Sequence, residues 1–215
     1  MAGIILGGGG EIHGVATVHA ANDGLDLLLD GALQLVAEGE IILLFAKTAE
    51  TAVNLRRQFE EHSVRKTYRA LLCSPHETHP SNRLTGPVSS CKEISDSGAE
   101  LSEGERGTIA LPLAPDYDER PRQKVDMVQG KPALTEYEVI HENPDGTTEV
   151  LFHPVTGRTH QLRIHSAHHL GLGRPIVGDL LYGGALPSSR LSLHAEQISF
   201  IHPVSGCDIT LTTQA

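Results

Sequence analysis

No stretch of 18 apolar residues occurs in this 215-residue chain, so a membrane-crossing helix of ordinary length is excluded. Basic side chains are missing from its beginning: the first is Lys47. The cationic segment that opens a secretory leader is therefore not seen, and a cytoplasmic protein is expected. Cysteine is scarce. Cys73, Cys91 and Cys207 are odd in number, far apart and outside any Cys-x-x-Cys pair, which points to reduced thiols rather than a disulfide framework. No internal repeat occurs and nothing suggests an oligomer, so a monomer is expected. An overall positive charge is also lacking. The net charge of -10 argues against a wholly basic nucleic-acid binder.

The charge is unevenly spread. Residues 1–50 hold seven acids and one base, Lys47, so the rest of the chain carries only -4. Within that remainder the bases cluster, as Arg65-Lys66-x-x-Arg69, as Arg120-x-Arg122-x-Lys124, and as Arg158 with Arg163. A local basic groove on an acidic body fits this distribution.

Residues 1–40 give little pattern. Gly7 to Gly10 follow a short strand-like piece, Gly3 to Leu6, but neither a helix nor a Gly-Lys-Ser/Thr ending follows, so a phosphate-cradling loop is not supported. Leu27 to Val36 has helix-like apolar content without a consistent face. From Ile41 the signal sharpens. Ile41 to Ala46 is a continuous apolar run, as in a strand buried on both faces. Thr48 is placed to cap a helix reaching about His62, with Ala49, Ala52, Val53, Leu55 and Phe59 on its apolar side. Val64 to Cys73 alternates as a strand with Lys66, Tyr68 and Ala70 on one face. Pro75 to Arg106 is polar and reads as a long insertion, either solvated or in contact with a partner. Gly107 to Leu113 is a strand, Ala114 to Gly130 an irregular basic loop, Ala133 to His141 a strand. Asn143-Pro-Asp-Gly then turns into a strand over Thr147 to Pro154. Leu191 to Ile201 is a late strand. These pieces predict an α+β fold: a mixed, mostly antiparallel central sheet with a few short helices.

The stretch His153-Pro-Val-Thr-Gly-Arg-Thr-His-Gln-Leu-Arg-Ile-His165 gathers basic groups at a strand-to-helix junction. Thr159 is expected to cap a helix from about His160 to His169, closed by Gly171. Thr159 and Arg163 then share one helical face. A guanidinium there can pair with a carboxylate or a phosphate through two parallel hydrogen bonds. On spacing alone, a surface corner with scattered basic residues explains the stretch equally well.

Eight ordered pieces carry more. They are Leu43-Leu-Phe-Ala-Lys-Thr48, Val64-Arg-Lys-Thr-Tyr-Arg-Ala-Leu71, Gly107-Thr-Ile-Ala-Leu-Pro-Leu113 and Arg120-Pro-Arg-Gln-Lys-Val125. Gly130-Lys-Pro-Ala-Leu-Thr-Glu-Tyr137, the His153–His165 stretch, Pro175-Ile-Val-Gly-Asp-Leu-Leu-Tyr-Gly183 and Leu191-Ser-Leu-His-Ala195 complete the set. Together, over roughly residues 41–205, they resemble the RluA-type RNA pseudouridine synthases, isomerases that convert uridine to pseudouridine in rRNA or tRNA. The resemblance implies a mixed sheet crossed by an active-site cleft, no metal and no cofactor, and structured RNA as the partner. It also implies one aspartate acting at the glycosidic bond, with the detached uracil rejoining the sugar through C5. Extruding the base costs a few kcal/mol, offset in part by phosphate contacts.

By the same resemblance Tyr68 stacks on the extruded uracil, although a core or edge-strand tyrosine is the plain alternative. Arg163 would orient the catalytic aspartate. Arg65, Lys66, Arg158, His160 and Leu162 fall on the substrate side. His165, His168 and His169 offer two histidines at i,i+4, but no Glu lies between them, and no metal site is expected.

The chain departs from the family at one point. The catalytic Asp of the family's His-Arg-Leu-Asp segment falls, counting back from Ala46-Lys47, at Val36, or at Leu35 with a one-residue slip. The nearest carboxylates along the chain are Asp30 and Glu38. Residues 1–40 thus form an atypical segment ahead of a synthase-like domain over 41–215. A shifted reading frame, a misassigned start or a rearrangement would each produce that boundary. Arg163 is then expected to lack its fixed counter-ion. An RNA pseudouridine synthase and a catalytically inactive RNA-binding relative both follow from this pattern.

Overall fold

The structure, a computed structural model, describes residues 2–6, 25–29, 33–38, 41–74, 101–183 and 190–213. Gly7–Gly10, Asp30 and residues 75–100 of the expected insertion lie outside the described residues. Strands β1 (Ala2–Leu6), β2 (Leu25–Leu29), β3 (Leu33–Glu38) and β4 (Ile41–Ala46) form an antiparallel sheet in the order β1-β4-β3-β2. The helix-like reading of Leu27 to Val36 is overturned, since its described residues, 27–29 and 33–36, lie in two paired strands. The physical reason is legible afterwards. In the sequence an Asp-Gly pair, a dipeptide that favours a chain break, stands between two short apolar runs, each of a length that suits a strand.

After β4, Thr48 caps helix α1 (Ala49–Glu60): its backbone is extended and its hydroxyl accepts the Thr51 N–H. The buried stripe of α1 is Thr51, Leu55 and Gln58, whereas Val53 is 69% exposed. Leu55 of the expected apolar face is thus buried, and Ala52 and Phe59 pack against the core, but Ala49 and Val53 turn out to solvent. Gln58 takes an inward position because its amide completes a strand end, donating to the Ile201 carbonyl and accepting the Ile201 N–H at 2.8 and 2.9 Å.

The remainder is built around β5 (Arg65–Leu72). Strands β6 (Arg106–Ala110), β9 (Leu134–Glu142), β10 (Thr148–Pro154), β11 (Leu193–Ile201) and β12 (Asp208–Thr212) join it in a six-stranded antiparallel sheet, in the order β12-β11-β5-β10-β9-β6. Helix α2 (Gln161–Ala167) follows β10. The stretch expected as one irregular basic loop holds a hairpin of β7 (Leu113–Pro115) and β8 (Gln123–Val125). The insertion also ends earlier than Arg106, because Leu101 is already in the core and Arg106 opens β6. Strand β12 escaped the sequence reading, as its two apolar residues, Ile209 and Leu211, are only partly buried.

Period-two burial explains the core. Tyr68, Ala70 and Leu72 on β5 and Val150 and Phe152 on β10 point one way, among the inward residues of β11. Tyr68 sits in register with Phe152 on one side and Ala195 on the other. The α+β architecture expected from the sequence is the one observed.

Candidate active site

The junction between β10 and α2 is fixed by a glutamine rather than by the expected threonine cap. His160 precedes α2 in the left-handed region (φ 54°) with no side-chain cap, so the proposed role of Thr159 is corrected. Gln161 does the work instead. Its Oε1 accepts from the Thr156 hydroxyl and the Arg158 N–H at 2.8 and 2.9 Å. Its Nε2 donates to the Leu134 carbonyl and the Thr135 hydroxyl, both at 2.9 Å. Thr135 passes its proton bond to His165 Nδ1 at 2.9 Å, and His165 Nε2 faces the Leu111 carbonyl at 3.2 Å. Donors and acceptors balance along this chain when His165 is neutral, and burial lowers its pKa. Both ring nitrogens of His165 are thus engaged by protein. Gly171 closes the helix end where a Cβ would lie 2.0 Å from the His165 carbonyl oxygen.

Arg163 does not lack a counter-ion, contrary to expectation. Asp179 accepts its Nε and Nη2 at 2.8 and 2.6 Å, and the Asp179 side chain is fully buried. Asp179 Oδ1 also accepts the backbone N–H groups of Leu181 and Tyr182. Four hydrogen bonds therefore occupy this carboxylate. Tyr182 packs beneath the pair, with the Arg163 guanidinium 5.2 Å from its ring centroid and that of Arg122 at 5.5 Å. The Tyr182 hydroxyl accepts the Gln123 N–H at 2.8 Å and meets His160 Nδ1 at 2.9 Å. Burial, and then the nearby Arg163 charge, push the His160 pKa down to about 4. A neutral His160 accepts the tyrosine proton without adding charge beside Arg163.

The other expected residues fall in three places. Tyr68 and Leu162 are both 7% exposed and share the main core cluster, which brings α2 against the centre of the sheet. Desolvation raises the Tyr68 phenol to about 12. Lys66 lies beside the Thr156–Arg158 turn: its ammonium is 3.9 Å from where a Cβ on Gly157 would sit and 5.9 Å from the Phe59 ring centroid. Burial lowers its pKa, and among the described residues it has no carboxylate partner. Arg65 is exposed. Arg158 is exposed and donates its Nε to the Pro132 carbonyl at 3.0 Å. His160, expected on the substrate side, is buried, with its Nδ1 held against the Tyr182 hydroxyl.

The model of the RNA pseudouridylate synthase family matches residues 42–168. Over 185 residues, 85% of this chain and 71% of the other, it is 38% identical to the dual-specificity RNA pseudouridine synthase RluA of Haemophilus ducreyi. The chain belongs to the RluA-type RNA pseudouridine synthases. The Escherichia coli protein of the same name is 37% identical over 186 residues, with the same coverage of each chain. In fold, this synthase-family chain resembles the human RNA Pseudouridylate Synthase Domain Containing 1. The TM-score is 0.64 at 21% identity, over 93% of this chain and 86% of that one.

The family's catalytic position then takes on a structural meaning. Val36 lies in mid-β3, paired with Leu43 on β4 and with Asp26 on β2. Asp26, ten residues away in sequence, is the register partner of Val36 across the sheet, a pairing that counting along the chain missed. Glu38 pairs with Ile41 at the strand end. Asp179 and Tyr182 were also missed as site residues, although their segment was quoted. The available signal was an aspartate three residues before a tyrosine and directly after Gly178, whose φ is +80°: the side chain of such an aspartate bonds to backbone N–H groups just ahead.

Proposed function

We propose that this chain binds structured RNA in the manner of a pseudouridine synthase, drawing one uridine toward Tyr68 and the Arg163 end of α2. What carries the reading is the pair Arg163–Asp179 standing on Tyr182. It holds a guanidinium in fixed geometry in the first turn of a helix whose preceding residue, Leu162, packs in the same cluster as Tyr68. Lys66, Arg65 and Arg158 flank the turn in front of it and supply cations for phosphates. Because Tyr68 is 7% exposed, stacking on an extruded base requires the site to open locally, at the expense of RNA-binding energy. Ribosomal and transfer RNA are both candidate substrates, and the relatives named above are called dual-specificity enzymes.

Isomerisation needs a carboxylate free to act at the ribose. Asp179 is not free, since two N–H bonds of Arg163 and two of the backbone saturate it in a fully buried place. Val36 offers none. As written, then, the chain grips RNA without turning it over. The register of Asp26 beside Val36 supports a second reading, in which that aspartate serves as the acting carboxylate.

Uridine-rich transcripts carrying tritium at C5 separate these readings, because pseudouridine formation releases the label. RNA retained on a filter without release supports the binder. Release that disappears in Asp26→Asn supports the second reading. Absence of retention removes both.

A further inference from the structure

The hairpin β7–β8 leaves the body beside Arg163 and carries at its tip an aromatic ring that the fold does not bury. Tyr117 is 70% exposed. Arg120 lays its guanidinium over that ring, 5.3 Å from the centroid, and among the described residues it has no carboxylate partner. None of the three acids of the tip pairs with Arg120: Asp116 accepts the Asp118 N–H, Glu119 pairs with Arg122, and the exposed Asp118 makes no ion pair with the arginine. The tip is also well held. The Asp116 N–H bonds to the Arg122 carbonyl at 3.0 Å, and the Arg122 N–H to the Glu119 carbonyl at 2.9 Å. Through the Gln123 N–H and the Arg122 guanidinium, the hairpin is tied to Tyr182 and hence to Arg163.

We propose that this tip is a stacking platform for an unpaired RNA base flanking the target uridine, with Tyr117 as the face and Arg120 as the cation that meets the adjoining phosphate. The inference rests on the RNA-binding reading above and adds a contact outside the uridine site. Its chemistry suits a nucleobase, because an aromatic face and a guanidinium plane both stack on bases and the arginine's charge remains uncompensated. It suits an apolar protein partner poorly, since the neighbours of Tyr117 at the tip are Asp118, Glu119, Arg120 and Pro121, all exposed. The link through Tyr182 keeps the platform at a set distance from Arg163, so the base it takes lies at a fixed offset from the target.

The test uses an RNA stem-loop with 2-aminopurine placed in turn at each unpaired position, titrated with the full chain and its Tyr117→Phe, Tyr117→Ala and Arg120→Ala forms. Wild-type binding should quench the probe at one or two positions, and Tyr117→Phe should preserve that pattern. Tyr117→Ala should abolish the position-specific quench and weaken binding by about 5- to 100-fold. Arg120→Ala should weaken binding and lower the salt slope by about one. Both alanine forms alter exposed side chains, and unchanged circular dichroism and urea midpoints will show that they fold. Wild-type affinity and quenching in Tyr117→Ala overturn the platform while leaving the RNA-binding reading intact. A wild-type chain that binds no stem-loop overturns both.

Discussion

Replacing Asp179 by alanine should cost more stability than almost any other single change in this chain. The carboxylate is fully buried and accepts two bonds from Arg163, at 2.8 and 2.6 Å, and two from the Leu181 and Tyr182 N–H groups, at 2.9 and 3.1 Å. Its removal leaves a guanidinium that is 12% exposed without a counter-charge. Breaking a buried pair from one side costs about 3–5 kcal/mol. The two orphaned N–H groups add to that in part, because some water can enter the vacated space. With a urea dependence of about 2 kcal/mol per molar, a loss near 4 kcal/mol moves the unfolding midpoint down by about 2 M. Arg163→Met alone should cost less, since Asp179 keeps its backbone donors. The double variant should be markedly more stable than the sum of the two losses implies, with a coupling of about 2 kcal/mol or more. Urea unfolding followed by circular dichroism measures all three. A midpoint shift below about 0.5 M for Asp179→Ala, or additive losses, would refute the account of this pair.

Further outcomes are expected at five residues. His160 has a folded pKa near 4 against an ordinary 6.5, so the unfolded chain takes up the proton first. Stability is then complete above about pH 6.5 and falls as pH drops toward 4, by about 2–3 kcal/mol from this residue. His160→Asn, which tolerates the left-handed backbone, should flatten that acid slope. Gly171→Ala should destabilise by several kcal/mol (roughly 3 or more), because its Cβ would meet the His165 carbonyl at 2.0 Å. Gly157→Ala has only the Lys66 ammonium at 3.9 Å and should unfold within about 0.5 kcal/mol of wild type. Tyr68→Phe should stay within about 1.5 kcal/mol in the same urea assay, whereas Tyr68→Ala loses about 3–5 kcal/mol of core packing. Arg174, 1% exposed, donates to the Cys73 and Gly146 carbonyls; Arg174→Met should lower the thermal midpoint, by about 2–4 kcal/mol in stability, by removing both of these bonds.

The legible parts of the sequence were those in which period and local chemistry agree. Strands β4, β5, β9, β10 and β11 are alternating or continuous apolar runs, and Thr48 announced α1. The losses came where a polar side chain took an inward position for the sake of one bond. Gln58 joined Leu55 on the buried side of α1 while Val53 turned out, and Gln161 displaced Thr159 as the organiser of α2. Helix periodicity ranks residues by polarity, so it cannot see that a buried amide is better satisfied by a strand end 143 residues away. The candidate site was legible only as separate motifs. Family motifs led to Tyr68, Lys66 and Arg163, but the partner of Arg163 lay sixteen residues on, in a turn whose bonding is set by tertiary approach. Likewise Asp26 becomes a neighbour of Val36 only once β2 pairs with β3.

The most direct measurement is tritium release from C5-labelled RNA by Val36→Asp under single-turnover conditions, beside wild type. If the chain keeps an intact uridine site that lacks only its acting carboxylate, the wild type should retain RNA and release nothing. Val36→Asp should then bind with the same affinity and release the label. Release by the wild type at the rate of the variant, or a folded Val36→Asp that binds RNA and releases none, would contradict it.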